Sequence, residues 1–488
     1  MTLFPIALYW FAAFWGLSSR KPVLIWLFFV SLPFGSMVVV PTVLTGGLSL
    51  LPATMTAMLI IVKQAMLKRS GPKAFATLAL TAPGLWLFLF WCVAVVVTLF
   101  APRIFAGEIQ VIPMALVDYQ FLQSMPLAPT RQNISQLAYI TVSVFAVFAF
   151  ARAFSEAIGG PGSGPVLLLL VRGLMLSGGI VIGTGALDFL ATKAPIAPLL
   201  DLFRTANYAI LNNVLIAGGA KRVTGLMPEA SEFARLTLAL LSALWFLRRT
   251  IIDRHLQRQC RTIIAGLVVM LVLSTSSAGY VGIAVCLIVV MVEWFVRAGR
   301  LEQSILRRRG IRREFVIALG TIGVLSAAIL VVPQLFDPIS DRLNALVFTK
   351  SESLSYLERT FWTWTSFQAG VSSHFIGVGL GSTRSSNFAV ALFASTGILG
   401  FLLYFAFALT RLLTPIRSRD PQTVAVANAL KWSFLPPFVV VLLIGTTPDF
   451  GTFEALRWGV LMTLVLGTAH GQSPQRFQAG QHRPAGSG

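Results

Sequence analysis

An all-α polytopic bundle embedded in a membrane, with a large outer-face loop, is the fold class this sequence predicts, on three observations. Hydrophobic residues fill 56% of the 488 positions and charged residues only 11%, with mean hydropathy +0.80. A soluble fold of that composition would leave large apolar patches facing water. The apolar runs reach about 20 residues without charge and lack the alternation of a barrel strand, so helices are the spanning structure. The basic residues, which give a net charge of +20, sit in short loops that recur at the spacing of span pairs. That placement fits orientation in a membrane and excludes nucleic acid as a partner.

Taken in order, the expected spans are roughly 3–17, 22–40, 43–62, 77–100, 132–151, 165–190, 231–247, 262–275, 278–297, 315–333, 388–410, 431–447 and 455–470. This gives about 12–13 helices within a membrane domain of residues 1–470, one early or middle segment being a candidate for re-entry. Met1 to Trp15 has neither a basic start nor a cleavage signal and reads as a retained first span. Arg20-Lys21, Lys63 to Lys73, Arg248 to Arg261, Arg297 to Arg313 and Arg411 to Arg419 fall on one side, the cytoplasmic one by the positive-inside rule. The apolar stretch 208–218 is too short to span and suits a helix lying at the outer surface. Residues 471–488 are polar and glycine-rich, as in a disordered cytoplasmic tail.

Three long segments then lie on the outer face, about 101–131, 191–230 and 333–387. Cations are expected to be sparse there, yet Arg204, Lys221, Arg222, Arg342, Lys350, Arg359 and Arg384 occupy the last two. Each either serves an anionic ligand, pairs with Asp201, Asp337, Asp341, Glu352 or Glu358, or snorkels to lipid phosphates. Cys92 and Cys286 lie in apolar runs and Cys260 in a basic inner loop, so none is placed for a disulfide. Of the four histidines only His374 falls in an outer segment.

The stretch from Ser353 to Phe401 is the most distinctive. Glu358, Arg359, Trp362 and Trp364 lead into Gly377-Val378-Gly379-Leu380-Gly381, then Thr383-Arg384-Ser385-Ser386-Asn387, then an apolar helix with Gly397 and Gly400. No strand-turn-helix unit surrounds these glycines, as a dinucleotide site would require. Upstream stand Lys221-Arg222-Val223-Thr224-Gly225 ahead of a span and Ser274-Thr275-Ser276-Ser277-Ala278-Gly279 at a short turn. Together, over roughly residues 200 to 470, these pieces resemble the O-antigen ligase and O-antigen polymerase superfamily, with Arg222 at its R-x-x-G segment. Where ligase members carry a His before the final Asn of the loop, Ser386 precedes Asn387 here. The turn that holds Ser-Arg in many members lacks its Arg.

The resemblance implies a lipid-linked glycan donor, an undecaprenyl pyrophosphate oligosaccharide, at the outer face of a bacterial inner membrane. Breaking the bond between sugar and pyrophosphate builds negative charge on the leaving group, which needs cationic clamps. The outer segments show no D-x-D and no ligand cluster with metal spacing, so no metal and no cofactor is expected and arginines are the remaining choice. Arg222, Arg359 and Arg384 are the leading clamps, with Arg204 as a further binding cation. Glu229, close to Arg222 and at the start of a helix, is the candidate general base. Its alternative role is a charge that favours the helix dipole. Asn387 after Ser386 reads as an N-cap, which either aims helix amides at the pyrophosphate or simply caps a membrane helix. Gly377, Gly379 and Gly381 would let backbone approach the ligand or permit a tight re-entry turn. Trp362, Trp364 and Phe361 offer rings for sugars or an interfacial belt.

The expected activity is thus a metal-independent glycosyltransferase joining repeat units of an O-antigen or exopolysaccharide. The alternatives are a ligase delivering glycan to lipid A core, or a membrane transporter. The departures at Ser386 and at the Ser-Arg turn favour the polymerase; near-absence of acids inside the spans disfavours the transporter. Expected partners are the lipid-linked oligosaccharide and membrane lipids, with other polysaccharide-assembly proteins as candidates.

Overall fold

A computed structural model describes residues 3–66, 71–114, 123–158, 164–192, 194, 196–206, 210–211, 221–299, 310–316, 319–320, 354–416, 418 and 420–470. The expected span 315–333, the surface helix at 208–218, the tail, and Arg342, Lys350, Asp337, Asp341 and Glu352 lie wholly or mostly outside the described residues. The helices are α1 (Leu3–Ser18), α2 (Val23–Ser31), α3 (Pro52–Ala65), α4 (Gly71–Ala79), α5 (Ala82–Ile104), α6 (Arg131–Ile158), α7 (Gly164–Leu190) and α8 (Ala197–Asp201). They continue with α9 (Ala230–Leu247), α10 (Arg254–Leu273), α11 (Ser277–Gly299), α12 (Leu354–Ser372), α13 (Phe388–Leu413), α14 (Pro421–Ile444) and α15 (Thr452–His470). A two-stranded ribbon, β1 (Gln110–Val111) against β2 (Met125–Pro126), sits in the loop before α6. Among the described residues, eight helices are long and apolar enough to cross a membrane: α5, α6, α7, α9, α10, α11, α13 and α14. The protein is a polytopic, multi-pass membrane helical bundle.

The amino-terminal third departs from the expected spans. Instead of a helix over 22–40, α2 ends at Ser31, just before Pro33, whose ring cannot continue the helical hydrogen bonding. Nine helical residues cover about 14 Å, less than half of an apolar layer of about 30 Å. The backbone beyond it is satisfied by other loops: Ser36 N donates to Leu226 O at 2.9 Å, and Thr205 N donates to Ser36 O at 2.9 Å. Irregular backbone at this depth is tolerated because protein surrounds it. The next helix begins at Pro52 rather than near residue 43, with proline at its first turn where a missing N–H costs nothing. The expected span 77–100 divides into α4 and α5 around Leu80-Thr81.

The core forms where α15 packs on α6, α13 on α5 and α14 on α9. Small residues let backbones close up in the absence of a hydrophobic drive between helices. At Gly459 a Cβ would stand 2.7 Å from both the Phe150 Cβ and the Val147 carbonyl oxygen, and Thr463 Oγ1 donates to Ala151 O at 2.8 Å. Rings fill the spaces between: Phe434 stacks on Trp458 at 3.9 Å and Phe28 meets Phe150 edge-on at 4.7 Å.

Two of the basic regions, at Arg248-Arg249 and at Arg297, join through shared acids at one end. Arg249 grips Glu293 through Nη1 at 2.7 and 2.8 Å, and Glu314 binds Arg248, Arg249 and Arg297 at 2.8, 2.7 and 2.6 Å. The segments expected on the outer face join at the other end. Arg384 N donates to Ile112 O at 2.9 Å, and Asn133 Nδ2 donates to Leu380 O at 2.7 Å and Ser382 Oγ at 2.8 Å.

Candidate functional site

The polar loop expected over 333–387 contains a helix. α12 carries Arg359, Trp362, Thr363 and Trp364, and it is stitched to the segment before α13. Ser386 N donates to Thr363 Oγ1 at 3.1 Å, and Ser366 Oγ donates to Arg384 O at 2.8 Å. Asn387 is the N-cap of α13: extended at φ −148°, it accepts the Val390 N–H on Oδ1 at 3.1 Å. The capped amide is one of four orphan donors at a helix start. Among the described residues no hydrogen bond takes up the N–H of Phe388 or Ala389.

Between α11, α12, α13 and α14 these elements enclose a cavity of about 630 Å³. Its polar rim is Ser277, Arg359, Thr360, Thr363, Ser386 and Asn387; its apolar wall is Val281, Val390, Val440, Leu443 and Ile444. Leu443 is 54% exposed and Trp364 58%, so the wall continues onto the outside of the bundle. One side of the cavity thus suits an anion, the other an acyl or prenyl chain.

Arg384 lies beside this rim with its guanidinium 4.2 Å from the centre of the Trp362 ring. Burial pushes it below the ordinary arginine range; the Glu229 carboxylate opposes that shift and the Arg359 charge adds to it. The fold has therefore brought Arg359, Arg384 and Glu229 into one electrostatic neighbourhood from three separate segments. Glu229 is the N-cap residue of α9; Ser231 Oγ donates to its Oε1. The neighbouring acid Glu232 is taken up by Arg235 at 2.6 Å.

Other sequence-predicted residues have different surroundings. Arg204 is not a free binding cation: its Nη2 reaches Asp188 at 3.1 Å and Gly225 O at 3.0 Å, and its Nη1 reaches Asp201 at 3.1 Å. Asp188 is fully buried and also receives Lys221 at 2.8 Å, Thr224 N at 2.8 Å and Gly225 N at 3.1 Å. A buried carboxylate needs such partners, so Asp188 folds the R-x-x-G segment around itself. Arg222, in that segment, makes no ion pair among the described residues, and its Nε is buried without a partner. Next to it Val223 N donates to Leu273 O at 3.4 Å, which ties the segment to the Ser274–Ser276 turn ahead of the cavity residue Ser277.

Gly377, Gly379 and Gly381 are buried against protein and do not line the cavity. A Cβ at Gly377 would stand 2.5 Å from Gly397 N, at Gly379 2.9 Å from the Pro102 ring, and at Gly381 2.4 Å from Gln132 O. Their close approach is to α13, α5 and α6. α13 breaks at Gly397 (φ 68°), and Val378 N and Gly379 N donate to Ala394 O at 2.8 Å and Ser395 O at 3.1 Å. The loop satisfies carbonyls near the kink, as membrane helices require. Trp362 is 6% exposed and presents its face to Arg384; Trp364, stacked on Phe367 at 6.0 Å, lines the cavity together with Phe367 and Tyr356. His374 is exposed in a left-handed turn at φ 54°.

A second cavity, of about 360 Å³, lies beyond α14 and was missed in the sequence because its polar groups are scattered. Glu232, Arg235, Asp449, Glu454 and Tyr139 line it together with Tyr404, Phe438 and Phe450. Glu454 is held bidentately by the fully buried Arg457 at 2.6 and 2.9 Å. The acids and cations here stand in the first two turns of α9 and α15 and in the loop before α15 rather than in mid-span.

The fold and this site define a multi-pass membrane protein with a cationic, amphipathic cavity at the end away from its basic loops. No family model, no curated protein and no solved structure matches the chain.

Proposed function

We propose that the chain is a glycosyltransferase that polymerises lipid-linked oligosaccharide repeat units at the outer face of a bacterial inner membrane, consuming an undecaprenyl pyrophosphate glycan. The observation that carries this reading is the cavity that sets Arg359 and the capped start of α13 on one rim and a lipid-exposed apolar wall below. A polyprenyl chain would lie along Val281, Val440 and Leu443, and its pyrophosphate would meet Arg359, Arg384 and the α13 amides. In the transfer, an acceptor hydroxyl attacks the anomeric carbon, and the bond from that carbon to the pyrophosphate oxygen breaks. The hydroxyl proton passes to Glu229, and the arginines, Arg222 among them, hold the departing charge. Ser386 and Asn387 edge the phosphate position, while Trp364 offers its open face to a sugar.

A ligase would use the same donor chemistry with a finished lipid A core as acceptor. The polysaccharide of a deletion strain separates the two: single repeat units on the carrier support the polymerase, and free polymer supports the ligase. Polymer of normal length and attachment would leave the chain outside this pathway. Orientation is tested by cysteine labelling of intact cells at Thr192 and Lys73, with labelling at Thr192 alone expected. Labelling at Lys73 alone would put the cavity on the wrong face.

A further inference from the structure

We propose that a pocket at the basic end of the bundle, between the α1–α2 turn, α3 and α6, binds the headgroup of an anionic glycerol-type phospholipid. The pocket holds about 320 Å³ and is lined by Arg20, Lys21, Lys63, Gln64 and Glu156 over a floor that includes Ile25 and Ile60. Lys63 Nζ is fixed by donating to Gly16 O and Ser19 O, both at 2.6 Å, so its charge stays at the turn. Glu156 is bound by Arg152 at 3.0 Å, which cancels its charge locally. Arg20 and Lys21 are exposed and make no ion pair among the described residues. The site therefore carries excess positive charge in a concave setting between membrane helices, where phosphate headgroups bind.

Two further observations narrow the ligand. Gln64 is 5% exposed, lines the pocket, and has an Oε1 with no hydrogen-bond donor. Phosphate diester oxygens only accept, so this oxygen calls for a headgroup that also carries a hydroxyl donor, as glycerol does. Beside the pocket, α1 exposes Phe11, Phe14 and Trp15 at 69, 63 and 57%. These rings give acyl chains a surface that free phosphate would not use. The inference stands apart from the proposed transfer reaction, since it concerns the opposite end of the bundle.

The test is native mass spectrometry of the full-length protein in detergent with phosphatidylglycerol, phosphatidylcholine or glycerol phosphate. Phosphatidylglycerol is expected to be retained preferentially. Arg20→Gln with Lys21→Gln should weaken retention roughly 30-fold, at about fivefold per charge near the surface. Arg254→Gln with Arg258→Gln, exposed at the same end, should change nothing. Thermal melting in phosphatidylcholine verifies that the variants are folded. Equal retention of the two lipids, undiminished retention by the pocket variant, or equal binding of glycerol phosphate would each overturn the proposal.

Discussion

The guanidinium of Arg384 lies 4.2 Å from the centre of the Trp362 ring, which joins the approach of α13 to α12, the helix that also carries Arg359. Stacking of this kind uses the flat face of arginine and leaves its edge free for two oxygens. Lysine can do neither at once. Arg384→Lys and Arg359→Lys are each expected to lower glycan transfer about 30- to 1000-fold at normal protein level, the loss of one transition-state contact of about 2–4 kcal/mol. Arg222→Lys should behave likewise, whereas the exposed Arg103→Lys should be silent. Full polymer from the three site variants would remove the arginine clamp.

Because charge compensation is assigned to arginines, transfer by purified protein should survive excess chelator. Among the described residues no group of three His, Cys, Asp or Glu is placed to hold an ion. Loss of activity on chelation with recovery on adding Mg²⁺ or Mn²⁺ would assign a metal to the reaction.

Gly377 and Gly397 meet backbone to backbone, with φ of 94° and 68°. Gly377→Ala or Gly397→Ala should part the loop from α13 and reduce folded protein sharply, measured as monodisperse material after extraction. Gly183→Ala is the control, because nothing lies within 4 Å of its added Cβ. Equal yields for all three would show that the junction tolerates separation.

Asp188 anchors two cations and two backbone amides in a dry site. Asp188→Asn leaves Lys221 without its counter-charge and Arg204 with the exposed Asp201 alone, and is expected to cost about 3–5 kcal/mol. Thermal unfolding in detergent reads this as a large drop in midpoint. A similar loss for Arg204→Lys, with transfer per folded molecule unchanged, would mark Arg204 as structural. Wild-type melting in Asp188→Asn would contradict the anchoring role.

Asp449, in the loop between α14 and α15, faces the second cavity within surrounding protein, and that burial raises its carboxyl above the ordinary carboxylate range. A raised folded value means that the folded chain holds the proton after the unfolded chain has released it. Its contribution is fully present below about pH 4 and is lost as pH rises through the folded value. Asp449→Asn should therefore melt higher than the wild type at pH 7.5, with the difference closing near pH 4. Parallel melting curves across that range would show that Asp449 does not titrate abnormally.

Hydropathy alone determined that this chain crosses a membrane as helices, because exclusion of charge over about 20 residues is a local property. Asn387 was readable as an N-cap for the same reason: its side chain acts on an amide three residues away. The breaks that shorten α2 and α3 were less legible, since Pro33 and Pro52 interrupt apolar runs whose composition still satisfies a span. Tertiary structure alone decided which cations are spent on folding. Arg204 and Arg222 look alike in the sequence, but Asp188, 16 residues before Arg204, reaches the first and leaves the second without an ion pair among the described residues. The glycine run likewise reads as ligand contact or as packing until Gly377 is seen against Gly397 and Gly381 against Gln132. Span and cap depend on neighbours along the chain; the partner of a buried charge or of a bare backbone is chosen by segments that only folding brings together.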